Sequence, residues 1–228
     1  MMDDDAYLST RGDLDRLVRI MDSHENCAIV ATNVIDKFGN VAIQFKDLNI
    51  GHPSVEDLQK KGVFQYIDFS GAVTLFRKSC VEQVGFYDES LFIYWNEADL
   101  ALKMIALGYE VLYDSYTTPV HLASMTNRIH CRNHFYYIRN GNRIINEHLG
   151  IRERLVLIPL RTVVYSVKYL RECNYRAIWK LTKNAIVSFY GIFFGKRIEY
   201  KSEYDHLRVR SIYARFFWRD LYFQIFKV

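Results

Sequence analysis

The sequence predicts an α/β domain followed by a basic, aromatic-rich helical region, and three observations carry that reading. Over residues 1–149, short apolar runs with strand character alternate with segments of helical period. At residue 150 the charge balance reverses. Residues 1–149 hold 14 Lys+Arg against 20 Asp+Glu, a balance of −6, and residues 150–228 hold 16 against 6, a balance of +10; together they make the chain's +4. The second stretch also concentrates aromatic side chains, 17 in its 79 positions.

Each element follows from local chemistry. Leu14 to Met21 has helical spacing and runs into the turn-like Asp22-Ser23-His24. Cys27 to Val34 (CAIVATNV) reads as a buried strand, Lys37 to Asn40 as a turn around Gly39, and Val41 to Phe45 as a strand closing a hairpin. Residues 46–62 are polar and hold Gly51, Pro53 and Gly62, the composition of a surface loop with a short helix at 54–60. Tyr66 to Phe76 reads as a strand with Gly71 at its centre, where a missing side chain marks close approach of backbone or ligand. Ser79 to Val84 is a short helix with Ser79 as its cap and Gly85 as its terminator. Asn96 to Leu107 is a firmer one, capped by Asn96 and stopped by Gly108. Tyr109 to Tyr113 is a strand, and His130 to Leu149 a long helix.

From residue 150 onward the segments LVLIPL (155–160), VVYSV (163–167) and AIVSFYGIFF (185–194) are apolar but interrupted by Arg161, Lys168 and Lys183. None reaches the ~18 uninterrupted apolar residues of a spanning helix. Arginines among Phe216, Phe217, Tyr222, Phe223 and Phe226 suit a membrane interface, where aromatic rings and snorkelling cations are both stable. Residues 150–228 are therefore expected to bind an anionic membrane surface. An ordinary helical bundle with a solvated basic face is the other reading. A nucleic-acid partner is not expected, because no recognition motif or zinc spacing is present. Cys27, Cys80, Cys131 and Cys173 are far apart and form no C-x-x-C pair, which argues against a disulfide scaffold. The first residues lack the order of a secretory signal, so a cytoplasmic location is expected.

Several residues could carry chemistry. Asp3, Asp4 and Asp5 place three carboxylates in one short turn, where a hard divalent cation would relieve their repulsion; a solvated acidic cluster or a helix cap is the alternative. In WNEADLALK (95–103), Glu97 and Asp99 fall in the first turn of a helix. The helix dipole favours carboxylates there, and a carboxylate so held also suits a general base. His121 ends an extended stretch and could add an imidazole ligand or serve only the structure. Arg139 and Asn140, in YYIRNGNR, offer donors for a phosphate or simply form a polar helix face.

Taken in order, the acidic triplet, SGAVTLFRKSCVEQVGFYDESLFIYWNEADLALKMIALGYEV, PVHLASMT and YYIRN resemble the family 2 glycosyltransferases, in particular their rhamnosyl- and galactofuranosyl-transferase-like members. The resemblance runs from residue 2 to about 145. It implies a GT-A fold, a mostly parallel sheet flanked by helices, with residues 1–149 as its catalytic, acceptor-side half. It implies Mg²⁺ or Mn²⁺ held by Asp5 and His121, with Asp3 and Asp4 beside it. Gly71, Ala72 and Trp95 would line the donor-sugar and acceptor pocket, with Arg139 and Asn140 also binding substrate. Glu97 would be the base, with Asp99 as the alternative because Asn96 stands where the family's acidic motif has its first carboxylate. The implied reaction is inverting transfer from a nucleotide-diphosphate sugar to a glycan or lipid-linked acceptor of the bacterial surface, at the inner face of the cell membrane. The family's opening nucleotide-binding strands and helices, very roughly 80–100 residues, have no counterpart here. The chain alone is therefore expected to be a poor enzyme. A non-catalytic chain that binds membrane or a partner glycosyltransferase is the competing expectation.

Overall fold

The computed structural model describes residues 1–41, 54–67, 69–122, 130–172, 178–195 and 206–226. The chain divides into two compact units. The first comprises Met1–Asp88 and Glu97–Thr126, and the second Glu89–Asn96 and Asn127–Val228. The division expected at residue 150 thus falls inside the second unit.

The first unit is α/β, with strands β1 (Ala6–Tyr7), β2 (Cys27–Thr32), β3 (Ile35–Asp36), β4 (Val63–Gln65), β5 (Thr74–Phe76), β6 (Glu110–Asp114) and β7 (Val120–His121). Its helices are α1 (Gly12–Ser23), α2 (Val55–Gln59), α3 (Lys78–Val84) and α4 (Asn96–Ala106). Among the described residues there are two sheets, and both are mixed, not mostly parallel as expected. In the order β4-β6-β2-β5, only β2 and β6 run parallel, while both edge strands pair antiparallel. In the order β1-β7-β3, β7 is antiparallel to β1 and parallel to β3. Only strands joined by a long crossover can pair in parallel, and β2 and β6 are such a pair. All six residues of β2 are buried, as their unbroken apolar run requires of a central strand. Ile29 packs with Leu100, Met104 and Tyr113 on one side of it, and Cys27 and Val30 with Leu17 and Ile20 of α1 on the other. Burial pushes the Cys27 thiol up to about 11.

Asp114, at the end of β6, is fully buried and fully engaged. Arg16 donates to both of its oxygens, Nε at 2.8 Å and Nη2 at 3.0 Å, and the Thr117 hydroxyl and Tyr116 N–H add bonds at 2.7 and 3.2 Å. That pairing holds the Arg16 guanidinium above its ordinary range and ties α1 to the strand end.

Two expected elements are corrected. The strand drawn from Tyr66 to Phe76 forms only at Thr74–Phe76, because Ser70 turns the chain back on itself. Its hydroxyl accepts from Ala72 N–H at 3.3 Å and its carbonyl accepts from the Thr74 hydroxyl at 2.8 Å. The helix expected to be capped by Ser79 begins one residue earlier, after Arg77. Arg77 occupies the cap position while its side chain donates to the carbonyls of Cys27 and Met21 at 2.8 and 2.7 Å. Gly85 (φ 82°) and Gly108 (φ 84°) follow α3 and α4 in the left-handed region, as expected. In the expected strand 41–45 only Val41 is described, bridged to Ile35, and the remainder lies outside the described residues.

The second unit holds α5 (His130–His148), α6 (Ile151–Glu172), α7 (Ile178–Phe194) and α8 (His206–Phe226). Its largely apolar interior contains a polar centre. Arg161 is fully buried and ion-paired with the equally buried Asp220, which also accepts from the Tyr165 hydroxyl at 2.9 Å. The rings of Trp95, Tyr165 and Phe217 lie 4.9–5.1 Å from the Arg161 guanidinium carbon, so cation–π attraction offsets part of its desolvation. Nearby, Asn142 donates to the hydroxyls of Thr162 and Ser188 at 2.9 and 3.2 Å, and Asn146 donates to the Ser188 carbonyl at 3.1 Å.

Gly141 makes room for this arrangement, since a Cβ there would collide with the Arg161 guanidinium. Gly141→Ala is expected to destabilise the protein by ~1–3 kcal/mol through overpacking, measured as a lower denaturant midpoint. Gly12→Ala is the control. Its new methyl group would meet nothing closer than Thr10 Oγ1 at 3.9 Å, and it should stabilise by ~0.4–1 kcal/mol through a less flexible unfolded chain.

Candidate functional site

In the first unit, β1 and β7 bring the acidic triplet to the expected histidine. The ladder sets Ala6 opposite His121, and Leu122 N–H donates to the Asp5 carbonyl at 2.8 Å. Asp3 to Ala6 forms a tight turn closed by Ala6 N–H on the Asp3 carbonyl at 3.2 Å. This turn directs the two outer carboxylates toward one imidazole. His121 Nε2 lies 3.0 Å from Asp5 Oδ1 and 3.9 Å from Asp3 Oδ2, and the three ligand atoms all fall within 4.8 Å of one another. Both carboxylates are about half exposed and the imidazole about one-fifth. Asp4 is exposed and stands outside this group.

The same turn is fastened to the segment around Gly71. Asp3 N–H donates to the Ala72 carbonyl at 2.8 Å, and Met2 bridges Val73. Gly71 lies under the Glu97 carboxylate: a Cβ built on it would be 2.9 Å from Glu97 Oε1. Gly71, Ala72, Asp3 and Glu97 are thereby linked through successive contacts within one unit. Asp99, two residues on, is 2 % exposed and ion-paired with Lys103 one turn along α4. A buried carboxylate already paired in its own helix is poorly placed to collect a proton from a substrate. Glu97 is the better candidate of the two.

One neighbour escaped the sequence reading. The Tyr87 hydroxyl is buried, and burial, with the charges of Glu97 and Asp3 as smaller causes, drives the phenol well above its ordinary range. Its ring packs edge-to-face on Phe76, 6.4 Å between centroids.

The remaining expected site residues gather in the second unit, around the segment 89–96. Asn140 is fully buried, and its amide donates to the carbonyls of Leu91, Ile93 and Tyr94 at 2.6, 2.7 and 3.0 Å. Arg139 donates to the carbonyls of Ser90 and Leu91 at 2.6 and 3.3 Å, and to the Asn140 side chain at 2.8 Å. Trp95 is 7 % exposed; it stacks on Phe217, packs against Phe216 and donates from Nε1 to the Tyr137 carbonyl at 3.1 Å. The segment they grip is costly, with Phe92, Tyr94 and Trp95 all at positive φ, 59–71°. These donors clamp backbone carbonyls.

Asn140→Ala would leave buried carbonyls unmet and is expected to cost about 2–3 kcal/mol, seen as a lower denaturant midpoint. Asn140→Asp, which keeps the size and loses the donor, should be at least as damaging. If the aspartate variant were as stable as the parent, the clamp would not be what holds 89–96.

No family model matches this chain, and neither does any curated protein; its chemistry has to be read from its own residues.

Proposed function

We propose that this chain is the catalytic portion of a GT-A-type, family 2-like glycosyltransferase, metal-dependent and inverting. It would transfer a sugar from a nucleotide-diphosphate donor to a hydroxyl of a glycan or lipid-linked acceptor. The observation that carries this reading is the convergence of Asp3, Asp5 and His121, joined through Ala72 and Gly71 to the Glu97 carboxylate. Two carboxylates and one imidazole within 4.8 Å make a donor set that fits Mg²⁺ or Mn²⁺. The parallel β2–β6 pair, whose crossover carries helices, is compatible with a GT-A sheet, and the antiparallel edges are its departures from a mostly parallel one.

Asp5 and His121 would hold the cation, with Asp3 beside them. When bound, it would supply positive charge to offset a departing diphosphate. Glu97 would take the proton of the acceptor hydroxyl as that oxygen attacks the anomeric carbon. The bond to the diphosphate breaks on the opposite face, so the configuration inverts. Gly71 leaves the space in which the carboxylate lies, and the buried Tyr87 hydroxyl is near enough for its ionisation to feel the Glu97 charge.

Titration calorimetry with Mn²⁺ tests the metal half of the proposal without any turnover. The chain is expected to bind one ion, and Asp5→Asn and His121→Ala to weaken that binding by an order of magnitude or more, whereas Glu97→Gln leaves it unchanged. In an active preparation with a cognate donor and acceptor, Glu97→Gln should lower turnover by ~10²–10⁴, and Asp99→Asn should cost mainly stability. Absence of Mn²⁺ binding by the folded chain would favour the non-catalytic reading.

Gly71→Ala separates packing from chemistry. The added methyl group would displace the flexible end of Glu97, not backbone, so stability should change by less than ~1 kcal/mol. Turnover should nonetheless fall by ~10²-fold, as for a base moved by about 1 Å. Full activity in Gly71→Ala would remove Glu97 from the base role.

A further inference from the structure

The outward face of α7 is more apolar than its buried face. The buried positions are Leu181, Asn184, Ser188 and Ile192, half of them polar. Facing outward are Trp179, Ile186, Val187, Tyr190, Phe193 and Phe194, each 60–75 % exposed. The helix cannot turn to hide them. Ser188 is held by Asn142 and Asn146, and the Asn146 amide occupies the space where Gly191 has no side chain. Rotation would break those bonds and drive ring side chains into the close approach at Gly191. An apolar stripe locked outward in this way belongs to a surface whose natural neighbour is not water.

Charge identifies the neighbour. Residues 178–194 contain no Asp or Glu, and both basic residues of α7, Lys180 and Lys183, are exposed. At helical spacing they head the same stripe, Lys183 in line with Tyr190 and Lys180 with Val187 and Phe194. Self-association through this face would bury lysines against a helix that offers no acidic partner. An anionic interface satisfies both ends: lysines reach phosphates while the rings enter the acyl boundary. No helix among the described residues is long and apolar enough to cross a membrane.

We propose that the outward stripe of α7 docks on an anionic phospholipid bilayer, lying in the interface with Lys180 and Lys183 at the headgroups and Ile186, Tyr190 and Phe193 inserted. This stands apart from the glycosyl-transfer reading and does not depend on it.

Vesicle flotation with the full chain tests it, using phosphatidylcholine alone or mixed with phosphatidylglycerol, at low and high salt. The chain should float with the mixed vesicles, less so at high salt, and poorly with phosphatidylcholine alone. Ile186→Asn with Tyr190→Asn and Phe193→Asn, all at exposed positions, should keep the parent's melting curve and lose flotation. Lys180→Glu with Lys183→Glu should lower partitioning by about 25-fold or more, at roughly fivefold for each basic charge lost. Equal flotation of a normally melting triple-asparagine variant would overturn the proposal, as would equal flotation of the lysine variant. So would a parent that ignores vesicles and forms dimers that the triple variant cannot form.

Discussion

The pairing of β1 with β7 is a ladder of two residues on each strand, and the candidate site depends on it. Side chains alternate across a strand, so a slip of one residue would turn His121 away from Asp5 and leave two carboxylates repelling each other. The slip is opposed from both sides. β3 pairs with the other edge of β7, and the N-terminal residues are stitched to Ala72–Thr74 by backbone bonds. Through Ala72 the same stitching fixes Gly71, and so the bed on which Glu97 rests. Backbone hydrogen bonds, backed by the small core of Ala6, Val34, Ala72 and Val73, therefore set the geometry of the acidic groups.

The helical unit sets a polar centre within an otherwise apolar interior. Beside buried rings and branched side chains its interior holds an ion pair and a seam of amides and hydroxyls, and on α7 further rings and branched side chains face out. Arg161 and Asp220 each offset the desolvation of the other, and removal of either would leave a charge buried alone. Three aromatic rings around the guanidinium and a glycine beneath it leave a single way to assemble that centre. The polar seam along Asn142, Asn146 and Ser188 acts likewise on α7, fixing its rotation and with it the face it presents.

Long periodic segments were legible in the sequence. α1, α4 and α5 lie within a residue or two of their expected bounds because apolar spacing and the glycines after α3 and α4 are local signals. The all-apolar CAIVAT was legible as a central strand for the same reason. Legibility failed where a remote partner overrides a local preference. Ser79 is a good cap, but Arg77 is anchored to carbonyls of Cys27 and Met21 some fifty residues back, and the helix starts from there. Strand direction could not be read, since pairing is decided between segments far apart. In the site, Asp3, Asp5 and His121 were legible by residue type and order. That Asp99 is paired within its own helix was not, because Glu97 and Asp99 both suit a first helical turn and the Lys103 contact shows only in the fold. Nor was the engagement of Arg139 and Asn140 with backbone carbonyls, for donors look alike until their acceptors are seen.

The left-handed residues at 92, 94 and 95 have a consequence for the order in which the molecule can form. A non-glycine residue in that region costs ~1–2 kcal/mol, so three of them in four positions make a peptide that will not hold this shape by itself. The amide that holds it arrives 46–49 residues later in the chain. During synthesis the carbonyls of this segment are therefore made before the amide that engages them. The first unit's two stretches of chain lie on either side of it, so β6 and β7 are made while that segment is still slack. Its shape rests on contacts that are long-range in sequence.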